Sequence, residues 1–283
     1  MRSGLSASLA LALILLFVVL ILVAVVPLLP GYDPFSQNLA SSLLTPGEAS
    51  IEGQLYLLGS DALGRDVLSR LALAGRISLF IGFSAVALSL AIGVVLGLIA
   101  GFFRGWIENL IMGIADLQLS IPRVLLLIAI AAIVGTGVLN LAILLGLTSW
   151  VVYGRVARAM ALSLREREFV LSARTQGASP TWNIRKHLLP NVLPQMLIVG
   201  SFELGQIIVL ESALSYLGLG VQPPLASWGL MVSDGQTYLE INPWLIVIPG
   251  IAIFMLVAGV QFLSQSFTSE SEIDLDLARR RRA

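Results

Sequence analysis

Long apolar runs alternate with short polar breaks along the chain, and six of the runs predict membrane-spanning helices. They lie at about Leu5–Leu29, Ile77–Phe103, Leu110–Val134, Val138–Met160, Val192–Leu217 and Trp244–Leu263. Most approach or exceed the ~20 residues that cross a hydrocarbon core of ~30 Å. The first run could be a signal peptide. However, its apolar core, Leu9–Val26, exceeds the roughly 7–15 residues of such a segment and no A-x-A cleavage site follows. It reads better as a retained anchor. The third run is the weakest, because Asp116 and Arg123 interrupt it. The expected fold is therefore all-α and polytopic.

Composition agrees with that pattern. Hydrophobic residues make up 57% of the 283, with a mean hydropathy of +0.92, and 12% are charged, against about 25% in soluble domains. The formal net charge is zero, so nothing in the balance points to nucleic acid. The absence of cysteine excludes disulfides, thiol nucleophiles and thiolate metal sites. A single histidine, His187, cannot build a His-based metal cluster. The sole lysine, Lys186, has no glycine-rich loop before it, so no Walker A phosphate site is present.

Basic residues set the expected orientation. With the N-terminus inside, the cytoplasmic ends and loops carry Arg2, Arg104, Arg155, Arg158, Arg165, the insert's basic residues and the terminal Arg279–Arg282, leaving Arg65, Arg70 and Arg76 outside. Both termini then face the cytoplasm, and the C-terminal arginines read as a charge anchor. On the outer side, Asp66 can cap a short helix with Val67, Leu68 and Leu71 on one face and Arg70 one turn on. Arg65, Arg70 and Arg76 could meet an external partner or pair with Asp61 and Asp66. A Gly- and Pro-rich stretch after Ser215 predicts an irregular, re-folded outer loop.

One segment breaks the apolar rhythm: "EREFVLSARTQGASPTWNIRKHLLPN", Glu166–Asn191. Glu166–Gln176 contains no glycine or proline and predicts a helix, with Phe169, Val170, Ala173 and Gln176 forming a partly apolar stripe. Gly177 supplies the left-handed turn that ends helices. Ser179 follows as N-cap, with Pro180 at the first helical position, where its missing N–H costs nothing. A second short helix carries Trp182, Ile184, Arg185 and Leu188, and Pro190 is expected to stop it. From pattern alone this helix–hinge–helix is either an interfacial hairpin lying on lipid or a docking element for a soluble partner's groove.

The insert resembles the cytoplasmic "EAA" loop of ABC importer permeases, E-A-A-x-x-x-G with a terminal L-P. Ala173 matches the second alanine, Gly177 the glycine, and Leu189–Pro190 the ending, whereas Leu171 occupies the glutamate position and Ser172 the first alanine. Further blocks in matching order, from about Leu57 to Leu263, include "GSDALGRDVLSR", "DLQLSIPRVLL", "RKHLLPNVLP" and "ESALSYLGLGVQPPLASWGLM". Together they resemble the C-type permease subunit of dipeptide, oligopeptide and nickel importers. The final stretch from Ser264 does not resemble that family's usual ending.

The resemblance implies a type I ABC importer permease fold in a bacterial-type inner membrane. It implies residues 1–76 as an anchor with an outer segment and 77–283 as the permease core, with a coupling loop over 161–193 and a tail over 264–283. The implied partners are a second, homologous permease, two ATP-binding subunits and an extracytoplasmic solute-binding protein. ATP and Mg would be bound by those ATPases, and this chain would bind no cofactor or metal. The implied contacts to the ATPase lie on the loop: Glu166, Glu168, Leu171, Ser172, Ala173, Gly177, Ala178, Ser179, Pro180, Trp182, His187, Leu189 and Pro190. Asp61, Gly64, Arg65 and Asp66 belong to the outer loop.

Asp116, Arg123, Glu203 and Glu211 lie inside apolar runs, where charges are costly and mark function or pairing. They either line the path or hold helices and permeases in register. Asp116 and Arg123, seven residues apart, are expected on one face of a single helix. Pro122 and Pro249 are expected to kink or break their helices. Peptides lead the substrate classes, with nickel complexes behind. The rival readings are an ATP-independent channel or secondary transporter, a membrane enzyme for which no catalytic set is present, and a scaffold.

Overall fold

The computed structural model describes residues 2–51 and 53–280, with side chains over 8–51 and 53–266. The secondary structure of the described residues is almost entirely helical. Helix α1 is Arg2–Ala24, and an irregular segment with 3₁₀ turns at Val26–Leu28 and Leu39–Ser41 leads to α2, Val67–Phe103. Then follow α3 (Gly105–Leu119), α4 (Arg123–Val134), α5 (Val138–Leu164), α6 (Glu168–Thr175), α7 (Pro180–Asn183), α8 (Leu189–Tyr216), α9 (Trp228–Gln236) and α10 (Trp244–Arg280). The terminal Arg281–Ala283 and the side chains of the expected charge anchor lie outside the described residues.

The short outer helix expected after Asp66 is the first part of α2. Asp66 does cap it, its carboxylate accepting the Ser69 N–H at 2.8 Å. Nothing between Val67 and Ile77 stops the helix, so it runs on for 37 residues, about 55 Å. Gly75 within it has a packing role: a Cβ there would lie 2.7 Å from the Trp228 ring, whose Nε1 donates to the Leu71 carbonyl at 3.0 Å.

Lipid is as apolar as leucine, so close packing rather than escape from water holds membrane helices together. The tightest seam joins α2 to α5. Gly93, Gly97 and Gly101 recur every fourth residue and so line one face of α2. A Cβ on them would meet the carbonyls of Trp150, Gly154 and Arg158 at 2.5, 2.4 and 2.7 Å. These glycines let the two backbones touch. Helix α1 lies against α10, where Gly259 makes room for Leu16, and many of its remaining apolar side chains stay exposed.

The third expected span is broken. Pro122 is the N-cap of α4, and α3 and α4 meet at 91°, so Asp116 and Arg123 do not share a helix face. The pair still carries the chain across the bundle. Helix α2 ends beside the insert, where Arg165 donates to the Phe102 carbonyl at 2.7 Å. Helix α5 starts at the other end, where the Gly137 N–H bonds the Gly220 carbonyl at 3.1 Å. An odd number of crossings must lie between them. With the five helices long and apolar enough to span, this gives six crossings, as the hydrophobic pattern predicts.

Pro249 behaves differently from Pro122. Helix α10 runs through it, and the Leu245 carbonyl that proline leaves without a helical donor packs against Gly235 of α9. Helix α10 also continues well past the Leu263 limit of the apolar run.

Candidate functional site

The insert folds as helix, hinge, helix. Its first limb starts at Glu168, with Glu166 in the preceding turn and paired to Arg165 at 3.1 Å. Gly177 takes φ +86° with open space around its Cβ position. The Ser179 hydroxyl accepts the Trp182 N–H at 3.2 Å and Pro180 opens α7. Hinge and cap are therefore as the residue types dictate.

Pro190 does not stop the second limb. After α7 the backbone widens into a π turn, Ile184–Leu188, with the Leu189 N–H bonding the Ile184 carbonyl, and then continues as α8. The wider i→i+5 register accommodates a proline that clashes with an α-helical turn. Asn191 assists, its side chain donating to the His187 carbonyl at 2.6 Å. The path from Pro180 to Tyr216 is thus one 37-residue helical run joining the insert to the membrane body.

Two apolar side chains anchor the insert: Val170 and Leu188 are fully buried in a cluster with Leu98, Phe102, Ala161 and Met196. The expected apolar stripe is only partly realised, because Phe169 points away from the body. Phe169, Leu171 and Trp182 are 43, 41 and 46% exposed. His187 lies edge-on to both aromatic rings, with centroids 5.4 Å from Phe169 and 5.1 Å from Trp182. Glu168, Ser172, Gly177, Ser179, Pro180 and Pro190 are exposed nearby, while Ala173, Ala178 and Leu189 are half-buried. Arg174 reaches back over the Phe102 ring at 5.9 Å. The result is an apolar, partly aromatic knob beside basic Arg185 and Lys186.

The four intramembrane charges separate into different surroundings. Asp116 pairs with Arg155 on an exposed face, and Glu108 of α3 is bound by Arg158. Arg123, at the start of α4, donates to the Ser149 hydroxyl and faces Glu203 of α8 at 3.7 Å, beyond hydrogen-bond length. Its side chain is 32% exposed and that of Glu203 6%. The Arg123 Nε, one Glu203 oxygen and the neighbouring Tyr153 hydroxyl have no hydrogen-bond partner among the described residues. Glu211 is fully enclosed, accepting from Ser215 at 2.8 Å and Ser78 at 3.0 Å.

On the opposite face, Asp61 organises the 59–66 turn. One oxygen accepts the Leu63 and Arg65 N–H groups, and the other takes the Arg65 Nε at 2.7 Å. Gly64, at φ +70°, sits where a Cβ would collide with the Asn38 carbonyl at 1.8 Å. Arg70 turns to Asp61 and to Asp234 of α9, not to Asp66, whose carboxylate is committed to the helix cap. Arg76 donates to the Val23 carbonyl at 2.8 Å.

Sequence reasoning passed over the α2 glycine ladder, although its G-x-x-x-G spacing was a readable sign of close helix contact. It also passed over the α3–α5 ion pairs and the Arg70–Asp234 contact. Those join positions 39, 50 and 164 residues apart, and no local pattern announces them.

Residues 93–268 match the family model described as the inner membrane component of binding-protein-dependent transport systems. Among curated proteins, the chain is 34% identical over 235 residues to the nickel transport system permease protein of Escherichia coli K12, covering 83% of both chains. It is 37% identical to the di/tripeptide transport system permease protein of Pseudomonas aeruginosa, covering 84% of this chain and 78% of that one. It is 35% identical to the dipeptide transport system permease protein of Alkalihalophilus pseudofirmus, covering 74 and 68%. Among solved structures, an inward-facing methionine ABC transporter, MetNI, shares the fold with a TM-score of 0.56 at 19% identity, over 71% of this chain and 95% of that one.

Proposed function

The chain belongs to the family of inner membrane components of binding-protein-dependent transport systems, and on that premise we propose that its insert couples it to an ATPase. In this reading the protein is the permease subunit of an ATP-driven importer, forming half of a path with a second, homologous permease. Two ATP-binding subunits dock on the insert face, which the basic residues assign to the cytoplasm. A solute-binding protein delivers cargo to the other face. The names of the relatives favour short peptides as cargo, with nickel or a related small solute as the alternative within the same class.

The observation that carries the reading is mechanical. Phe169, Leu171 and Trp182 are exposed around a half-buried His187. Trp182 and His187 sit on the helical run continuous with α8, against which the α6 residues Phe169 and Leu171 are folded back by the Gly177 hinge. A soluble subunit gripping the knob would push directly on a membrane helix that bears Glu203. The glutamate expected at position 171 is replaced by leucine, so this grip is apolar where the family motif places a charge. Alternating access is then a two-state equilibrium biased by ATP at one face and cargo at the other. Arg123 and Asp116, on the exposed bent pair α3–α4, are where this chain meets the second permease or the path, whereas Glu211 makes its contacts within the chain.

The cysteine-free sequence makes the test direct. A single cysteine at Ser172, which is exposed, is armed with a photo-cross-linker in native membranes. The expected adduct is a soluble protein bearing Walker motifs, lost when Gly177→Val distorts the hinge. Adducts to lipid alone, in membranes containing the other subunits, would leave the insert an interfacial hairpin and overturn the coupling reading.

A further inference from the structure

On the face opposite the insert, a cavity of about 450 Å³ opens between the 59–66 turn and α9, within the usual range of small-molecule sites. Its walls include Asp61, Arg70 and Asp234, with Val67, Met231 and Leu245 supplying apolar surface. Asp61 and Arg65 satisfy each other inside the turn. Arg70 and Asp234 do not.

The Arg70 side chain is 4% exposed, and its Nη1 has no hydrogen-bond partner among the described residues. Its Nη2 stands 3.6 Å from the Asp234 carboxylate, too far for a hydrogen bond. Asp234 is 49% exposed. Burial pushes its pKa above the usual value and Asp61 adds to the rise, against the lowering pull of Arg70 and Arg65. The carboxylate is thus partly desolvated without a hydrogen-bonded cation to compensate. An unspent donor and an unspent acceptor lie side by side, with an apolar wall next to them.

We propose that this cavity binds the α-ammonium and adjacent carbonyl oxygen that free amino acids and peptide N-termini share. Asp234 takes the ammonium, the Arg70 guanidinium turns its enclosed, unpartnered Nη1 toward the oxygen, and Val67, Met231 and Leu245 receive the side chain. The head group carries its donor and acceptor on neighbouring carbons, matching the adjacency of the two protein groups. A bare anion would leave Asp234 opposed, and a bare cation would leave Arg70 Nη1 without an acceptor, its Nε being paired to Asp61. The role of the cavity as a receiving point for delivered cargo rests on the importer reading, but binding itself needs neither ATP nor a partner.

Calorimetric titration of the purified full chain in lipid nanodiscs tests this with alanine, alanyl-alanine and N-acetyl-alanine. Saturable binding of alanyl-alanine is expected, with Asp234→Asn and N-acetylation each weakening binding about tenfold or more, the scale of one lost charge-assisted hydrogen bond. Glu48→Gln, on the same face but outside the cavity, leaves binding unchanged. Equal binding of alanine assigns the site to the amino-acid head, whereas binding of the dipeptide alone assigns it to peptide N-termini. Arg70→Gln adds a second loss of affinity. Because Asp234 is half-exposed, its asparagine variant keeps the fold and carries the test if the Arg70 variant does not. No saturable binding, or N-acetyl-alanine binding as well as alanine, overturns the site. The Ser172 cross-link separately decides the importer reading.

Discussion

Two stretches of α8, eight residues apart, hold a buried carboxylate and treat it in opposite ways. Around Glu211, hydroxyls from α2 and from α8 itself donate to both oxygens, and no part of the side chain is exposed. Around Glu203 the ion-pair partner is Arg123 at 3.7 Å, and three buried polar atoms find no partner among the described residues. In low-dielectric surroundings a satisfied polar network rigidifies, while a half-satisfied one is weakly held. The far half of α8 is therefore a fixed point. The near half, which is entered through a π turn and carries Pro190 and Pro194, is where the helix can yield. A lever needs both.

The sharpest way to break that contrast is to remove Glu211. Glu211→Ala strips the acceptor from Ser78 and Ser215 and leaves a void, and a loss of about 3 kcal/mol or more is expected. Glu211→Gln keeps an acceptor and should lose less than half as much. Thermal unfolding of the purified chain in detergent reads both. If alanine and glutamine variants unfold together near wild type, the serine cage is not a fixed point.

The same rigidity should extend along the α2–α5 seam. Gly97→Ala places a methyl 2.4 Å from the Gly154 carbonyl, and overpacking of this kind costs about 1–3 kcal/mol. Gly113, with open space at its Cβ position, serves as the control and should tolerate alanine. Equal melting temperatures for the two variants would show that the seam can spread.

The Glu203 region should behave as a loosely held pair. Arg123→Met or Glu203→Leu alone is expected to destabilise by about 1 kcal/mol, because one partner is left behind while the arginine stays partly solvated. The double variant should return close to wild type, since replacing both members of a buried pair by apolar groups is often neutral. Transport in the assembled system should still fall in the double variant if the pair is broken and remade during the cycle. A double variant as unstable as the sum of the singles would instead make this pair a structural tie like Glu211.

Much of the architecture was legible because the membrane imposes simple rules. Six spans, the Asp66 cap, the Gly177 hinge and the Ser179–Pro180 restart all follow from length, caps and prolines. What failed was punctuation read too locally. Pro190 looked like a stop because proline clashes in an α-helix, but a π turn absorbs it, and only the backbone reveals that turn. Asp116 and Arg123 looked like one face because the run continued through them, although Pro122 already marked the break. The Arg70–Asp234 and Arg123–Glu203 contacts depend on how distant helices pack, which hydropathy does not encode. The glycine ladder of α2 stood in the sequence and was simply not used.

The smallest expected effect distinguishes two uses of glycine. Gly97 is small because a neighbouring backbone fills its side-chain position, whereas Gly177 has open space and a φ of +86°. Gly177→Ala therefore meets no atom and costs only the left-handed strain, about 1 kcal/mol. That strain falls on an exposed hinge held to the body by Val170 and Leu188, so the global melting temperature should hardly move. The loss should appear locally, as faster amide exchange across α6 and α7 and a lower cross-linking yield from a cysteine at Ser172. Because a left-handed turn admits asparagine better than alanine, Gly177→Asn should restore part of that yield. Equal yields from the alanine and asparagine variants would show that the hinge acts through something other than its φ. The contrast between a packed glycine and a turning one would then fail at this position.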